Sequence, residues 1–217
     1  STNSIAESAG TSTVAATLDK VTFEDVTVNL GYTGTAISGT DYATPAGSIT
    51  ISAGQTTGTT TLTATADALV EAGETIVIDI TSVSGGSASE NGVQQQTVTI
   101  TDDDAATVTL STSTNTIAEA AGTSTMTATL SAVSFENVTV SLGYTGTATS
   151  GTDYVTPAGS ITITAGQTTG TAILTATTDT NVEANETIIV DITGVTGTSI
   201  TENGAQQQTI TITDDDT

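Results

Sequence analysis

Apolar and polar residues alternate one for one along this chain, in short runs. The clearest run is Thr97-Val98-Thr99-Ile100-Thr101, and it recurs as Thr209-Ile210-Thr211-Ile212-Thr213. A period of two sends successive side chains to opposite faces, as in a half-buried β-strand. The same pattern predicts strands at Thr13–Leu18, Asp25–Tyr32, Ser48–Ser52, Gly58–Ala66, Glu74–Val83 and Gln94–Thr101. Thr, Val and Ile dominate these runs, while Gly, Asn, Asp, Ser and Pro punctuate them. Asn91-Gly92 and Asn203-Gly204 are turn signals before the last strand of each half. No stretch carries a helical period. Many short strands with turns between them predict an all-β chain of sandwich type. The inward positions are Leu18, Val26, Val28, Leu30, Ile49, Ile51, Leu62, Ile76, Ile78, Ile80, Val98 and Ile100, with Phe23, Tyr32 and Tyr42 adding the largest apolar surfaces.

The pattern occurs twice. Ile5-Ala6-Glu7 returns as Ile117-Ala118-Glu119, and Gly39-Thr40-Asp41-Tyr42 as Gly151-Thr152-Asp153-Tyr154, both at an offset of 112. Residues 1–105 and 113–217 align without a gap and share 77 identities in 105 pairs. A repeat of this length is a whole small β-domain rather than a solenoid unit. Two domains are therefore expected, 1–104 and 105–217. Only about Ala105-Ala106 links them, which predicts limited freedom between neighbouring repeats. The second copy is preceded by the strand-like run Ala106-Thr107-Val108-Thr109-Leu110-Ser111, and the first copy has no counterpart. A first strand of the first domain is thus expected to lie outside this sequence, leaving a sheet edge exposed or filled by a neighbour.

Charge changes the picture. The chain has 217 residues with 24 acids, one Lys, no Arg, no His and no Cys, for a net charge of −23. Nucleic acid and anionic membranes are poor partners for such a surface, and no run approaches the roughly 18 apolar residues of a membrane span. A monomeric fragment is expected. Without His or Cys there is no Ser-His-Asp arrangement, thiol nucleophile or zinc site, so an enzyme is not expected. Oxygen chemistry remains, and it suits Ca²⁺.

Each last strand ends in three aspartates, Asp102-Asp103-Asp104 and Asp214-Asp215-Asp216. Adjacent carboxylates repel, and the chain has almost no cation to pair with them. A solvated charge run is the bland alternative. The recurrence at one structural position and the lack of Lys and Arg count against it. Loops at one end of a sandwich gather, so Glu7, Asp41, Asp67, Glu71 and Glu74 are candidates to join the first triplet. Glu119, Asp153, Asp179, Glu183 and Glu186 are the candidates for the second. Two unit charges about 4 Å apart interact by roughly 4 kcal/mol at an effective dielectric near 20. Several such pairs rival a domain's stability of roughly 5–15 kcal/mol, and bound calcium reverses their sign. Mg²⁺ prefers one or two carboxylates and its own waters. Asp79 and Asp191 alternate outward and read as surface residues.

The set Ile-Ala-Glu-Ser-Ala-Gly, Gly-Thr-Asp-Tyr, Asp67-x₃-Glu71-x₂-Glu74 and Thr-Ile-Thr-Asp-Asp-Asp resembles the Calx-beta family across nearly all of both copies. The resemblance implies two tandem Greek-key, immunoglobulin-like β-sandwiches with Ca²⁺ at one end of each. It places Glu7, Asp41, Asp67, Glu71 and Asp102 to Asp104 at calcium-ligand positions and Glu74 at a family acid. Acidic runs flank the Asp67 position in exchanger-type members, whereas Ala66 and Ala68 stand here, so about one to three ions per domain are expected. The leading functional expectation is a calcium-stiffened structural module of a secreted or cell-surface, adhesin-like repeat protein. A regulatory calcium-sensor pair, as in sodium–calcium exchangers, is the alternative. Thr-rich strands that bind ice or sugar, and the sequons at Asn137 and Asn185, are weaker readings in a chain so rich in Thr.

Overall fold

The computed structural model describes residues 3–217. The alternating runs form sixteen strands, and among the described residues there is no helix. Contacts divide the chain into two compact units. The first is the chain up to Asp67 together with Ala72–Asp103; the second is Ala68–Glu71 together with Asp104–Thr217.

The first unit contains β1 (Ser4–Ala6), β2 (Thr11–Thr17), β3 (Val26–Gly34), β4 (Ser48–Ile51), β5 (Thr57–Thr63), β6 (Glu74–Ser84) and β7 (Gln95–Thr101). One sheet runs β1-β7-β6-β3-β4, and facing it among the described residues is the two-stranded β2-β5 sheet. Its buried side chains fall into two clusters, one around Leu62, Ile76 and Ile100 and one around Val26, Val28, Ile49 and Ile51.

The second unit repeats this plan with more strands: β8 (Ala106–Thr112), β9 (Thr116–Ala118), β10 (Thr123–Leu130), β11 (Val138–Gly146), β12 (Ser160–Ile163), β13 (Thr169–Thr175), β14 (Glu186–Thr196), β15 (Ile200–Glu202) and β16 (Gln207–Thr213). Its sheets run β13-β10-β8-β15 and β12-β11-β14-β16-β9. β8 lies antiparallel to β10 and parallel to β15. The core is a single continuous cluster that includes Ala106, Val108 and Leu110 of β8.

Near-identical sequence makes the effect of β8 readable. Met126 and Ala128 of β10 are 0% exposed and Leu130 is 4%. Their counterparts in the first unit, Val14, Ala16 and Leu18, are only half-buried. A flanking strand converts a partly wet face into core. Leu30 and Ile80 are also half-buried, whereas the other aliphatic inward positions read from the pattern are buried. Tyr42 is 3% exposed and Tyr32 half-buried. Phe23 overturns the expectation made for it: it is fully exposed, in the loop between β2 and β3. Asp79 and Asp191 are half-buried rather than fully at the surface.

Three short strands lie outside the predicted set. β1 and β9 each add three residues parallel to the last strand of their unit, β7 and β16. Those pairings position the site. β3 and β11 end at Gly34 and Gly146, with φ near +124° and +123°; a Cβ at either would lie 2.1 Å from the carbonyl oxygen of Thr75 or Thr187. Only glycine permits that close approach of strands.

Candidate metal centre

The second unit shows how the fold assembles its acids. Parallel pairing of Ile117 with Ile212 brings the end of β9 beside the end of β16. The Glu119 amide donates to the Thr213 carbonyl at 3.0 Å, so Glu119 enters next to the Asp214-Asp215-Asp216 run. A tight turn follows, with Ala121 at φ 55° and the Gly122 amide bonded to the Ala118 carbonyl. The Ala120 amide donates to Asp215 Oδ1 at 3.0 Å and turns that carboxylate outward. Consecutive residues of an extended segment face opposite ways. Asp214 and Asp216 therefore share one side while Asp215 is exposed.

Other loops complete the group. The Asp179 amide, after β13, donates to Glu119 Oε1 at 3.2 Å. The turn at 149–154 is pinned by the Thr149 amide on Asp153 Oδ2 at 2.5 Å, and the Asp153 carbonyl accepts the Thr177 amide at 2.9 Å. Glu186 begins β14 opposite Ile212. Two triads result: Glu119, Asp179 and Asp216, and Asp153, Glu183 and Glu186. Each offers three carboxylate oxygens that all lie within 4.8 Å of one another. Between them, Glu119, Asp153, Glu183, Glu186 and Asp214 line one small hollow with Ala184 and Ile212.

The first unit gathers its acids in the same way. The Glu7 amide bonds the Thr101 carbonyl, Glu7 Oε1 accepts the Asp67 amide at 2.8 Å, and Asp103 Oδ1 accepts the Ser8 amide at 3.0 Å. Glu7 and Asp67 bring carboxylate oxygens within 4.8 Å of each other, as do Asp41 and Glu74. Asp41 is pinned by the Ile37 amide at 2.6 Å. Glu71 and Asp104 belong to the two segments grouped with the second unit. Asp103, like Asp215, is exposed and caps a turn, while Asp102 and Asp104 are half-buried.

These groups repel one another. Burial pushes the Glu7 carboxyl up to about 7, opposed by the Asp67 amide and reinforced by a hydrogen bond with Asp102 and by the charges of Asp67 and Asp102. Glu119 is raised by burial, against the pull of the Asp179 amide, and further by Asp179, Asp214 and Asp216. Burial and the charges of Asp179, Asp153 and Asp214 raise Glu183. Glu186 is raised by burial, then by a hydrogen bond with Asp153 and by the charges of Asp153, Glu183 and Glu119. Asp216 moves up through burial and its neighbours Asp214 and Asp215.

A pH dependence follows, with its sign set by the raised values. A carboxyl whose folded pKa exceeds its unfolded pKa binds more protons when folded. Its contribution is full below the unfolded value and disappears as pH rises through the folded one. In chelator the chain therefore gains stability as pH falls from about 8 to about 5. Glu136, held low by the Thr198 amide, acts in the opposite direction as a single group. Melting midpoints across a pH series check this, and loss of stability over that window contradicts it.

Calcium fits these residues. Two oxygens on one ion can be separated by no more than twice the Ca–O distance, about 4.6–5.2 Å, and each triad fits inside that span. Asp214 Oδ1 is buried and has no hydrogen-bond partner. A buried carboxylate oxygen is costly unless a cation or donor meets it. Asp214 lines one hollow with Glu119, Asp153, Glu183 and Glu186, so a cation is the partner that satisfies it. Calcium would supply positive charge and a flexible oxygen shell, held by Glu119, Asp153, Asp179, Glu183, Glu186, Asp214 and Asp216.

The description of a Calx-beta domain matches residues 1–104 and again 101–216. The chain belongs to the Calx-beta family, as two tandem domains. The two matches overlap on Thr101–Asp104, the end of the first copy's last strand and its aspartate triplet. Similar solved structures include the "calcium binding domain CBD12 of CALX1.1", with 16% identity and TM-score 0.44 over 96% of this chain and 95% of that one. CBD12 from CALX1.2 is similar at 17% identity and TM-score 0.43, over 96% and 95%. The apo-form Calx CBD1 domain has 18% identity and TM-score 0.44, over 51% of this chain and 99% of its own. No curated protein matches the chain.

Proposed function

We propose that this chain is a calcium-binding structural module of a secreted or cell-surface repeat protein, in which ions at the ends of the domains stiffen the array. The observation that carries the calcium part is the buried, unpartnered Oδ1 of Asp214, a residue that lines one hollow with members of both carboxylate triads. Family membership supports it. The structural role draws on near-identical tandem copies and on the few residues between β7 and β8. The extracellular setting draws on the acidic, Cys-free composition. No catalytic step is assigned: the carboxylates hold an ion and its charge holds the loops.

A regulatory sensor uses the same clusters, and the mutual repulsion in the metal-free loops favours it as a second reading. Affinity separates the two. A module that stays filled outside cells binds at about 10⁻⁴–10⁻³ M, a sensor at about 10⁻⁷–10⁻⁵ M. Stiffening is tested by X-ray scattering in solution. The profile with calcium is expected to be that of a more extended, less variable particle than the profile in chelator; coincident profiles overturn the structural role.

A further inference from the structure

The second unit includes Ala68–Glu71, although that segment lies in the first sequence repeat. Val70 is its anchor. It is 1% exposed and belongs to the continuous core of the second unit. It bridges in parallel to Ser134. Its amide donates to the Val133 carbonyl at 2.9 Å, and its carbonyl accepts the Phe135 amide at 3.1 Å. A plug of one Val thus seats in a socket made by the loop Val133-Ser134-Phe135.

The offset of 112 supplies a second plug and a second socket. The counterpart of Val70 is Val182, which is 70% exposed. The counterparts of Val133 and Phe135 are Val21 at 63% exposed and Phe23 at 103%. Plug and socket keep their apolar residues in both copies, and among the described residues the Val70 pair is joined while Val182 and Phe23 are exposed. A Phe wholly in water, in the same loop as an exposed Val, leaves apolar surface whose burial against a partner is favourable.

We propose that the Val182 loop of one chain seats on the Val21-Thr22-Phe23 loop of a second copy, repeating the Val70 pairing. The occupant has the right shape because the same pairing already exists within one chain. Charge agrees. The only cation of the chain, Lys20, stands immediately before this socket, where the joined socket has Ala132. The incoming chain is acidic throughout, with 24 acids against that one Lys. The contact uses different surfaces on the two partners, so it is heterologous and propagates head to tail. This idea rests on apolar residues and a backbone bridge rather than on metal binding.

The chain has no Cys, so two introduced thiols report the contact alone. Val182→Cys is placed on one chain and Thr22→Cys on another, the counterparts of the bridged pair Val70 and Ser134. The two are mixed in equal amounts in saturating calcium with a glutathione buffer that lets disulfides exchange. The ratio of the mixed disulfide to the two like disulfides together, one to one by statistics, is expected to rise to about ten to one, the ratio given by about 1.4 kcal/mol. Adding Phe23→Asp to the Thr22→Cys chain is expected to remove that excess. A statistical distribution of the three dimers overturns the proposal, as does an excess that survives Phe23→Asp. Neither readout senses calcium binding, so failure here leaves the metal site standing.

Discussion

Adding Ala-Thr-Val-Thr-Leu-Ser-Thr directly before Ser1 is expected to stabilise the first unit and leave the second unchanged. The added residues copy β8, which directly precedes Ser113, the counterpart of Ser1. By the pairing of β8 with β10, Val14 meets the final Thr, Ala16 the Leu and Leu18 the Val. The strand then pairs along the edge of β2 that no strand among the described residues occupies, and covers side chains whose counterparts are 0–4% exposed. The added Val and Leu contribute about 1.5–3 kcal/mol each on full burial; completed burial of Val14, Ala16 and Leu18 and the new ladder hydrogen bonds add to this, and the cost of ordering seven residues offsets most of the sum. A net gain of about 2 kcal/mol raises the midpoint of a domain this size by roughly 8–16 °C. Hydrogen exchange by unit checks it: protection is expected to rise along β2 and β5 and to stay constant in β10 and β13. Unchanged protection along β2 contradicts the open-edge account. In the parent chain, the first unit is expected to melt below the second.

Asp214→Asn is expected to change sign with calcium. In chelator the substitution removes one charge from a repelling cluster and gives the unpartnered position a neutral amide that can donate to its neighbours. Stability rises by about 1–2 kcal/mol, the scale of relieving one buried unsatisfied group. In calcium the same substitution removes a ligand charge. A site held at a hundred times its dissociation constant contributes about 2.7 kcal/mol, and most of that increment in the second unit is expected to disappear. Melting curves of variant and parent, each with chelator and with calcium, check both signs. A variant that tracks its parent in both conditions removes Asp214 from the site.

Much of this was legible in the chain. The period-two runs and the exact 112-residue offset locate the long strands, and the aspartate triplets point to the end of each unit where the carboxylates gather. Three features escaped for physical reasons. β1, β9 and β15 are three residues long and exist through parallel pairing with strands far away in sequence. So short a run has no period of its own to read. Phe23 looked like core because a large aromatic beside a strand commonly is. Its loop instead carries it outward, and its counterpart Phe135 is itself 43% exposed. Each triplet offers three aspartates as candidate ligands, but alternation continues past the strand. It sends Asp103 and Asp215 outward to cap turns and leaves the flanking aspartates half-buried. That distinction was available from the same period that found the strands. Glu186 is the first residue of β14. Its place opposite Ile212 and its hydrogen bond with Asp153 put it in the cluster.

The claim that the carboxylate clusters close around calcium is tested most directly by a thermal melt in chelator, in about 5 mM calcium and in about 5 mM magnesium, concentrations above the range expected for an extracellular module. The expected result is a large rise in midpoint with calcium, by the mass-action gain of filling a site found only in the folded state, and little change with magnesium. Equal midpoints in all three conditions would show the aspartate triplets to be solvated charge and remove the basis for the calcium site.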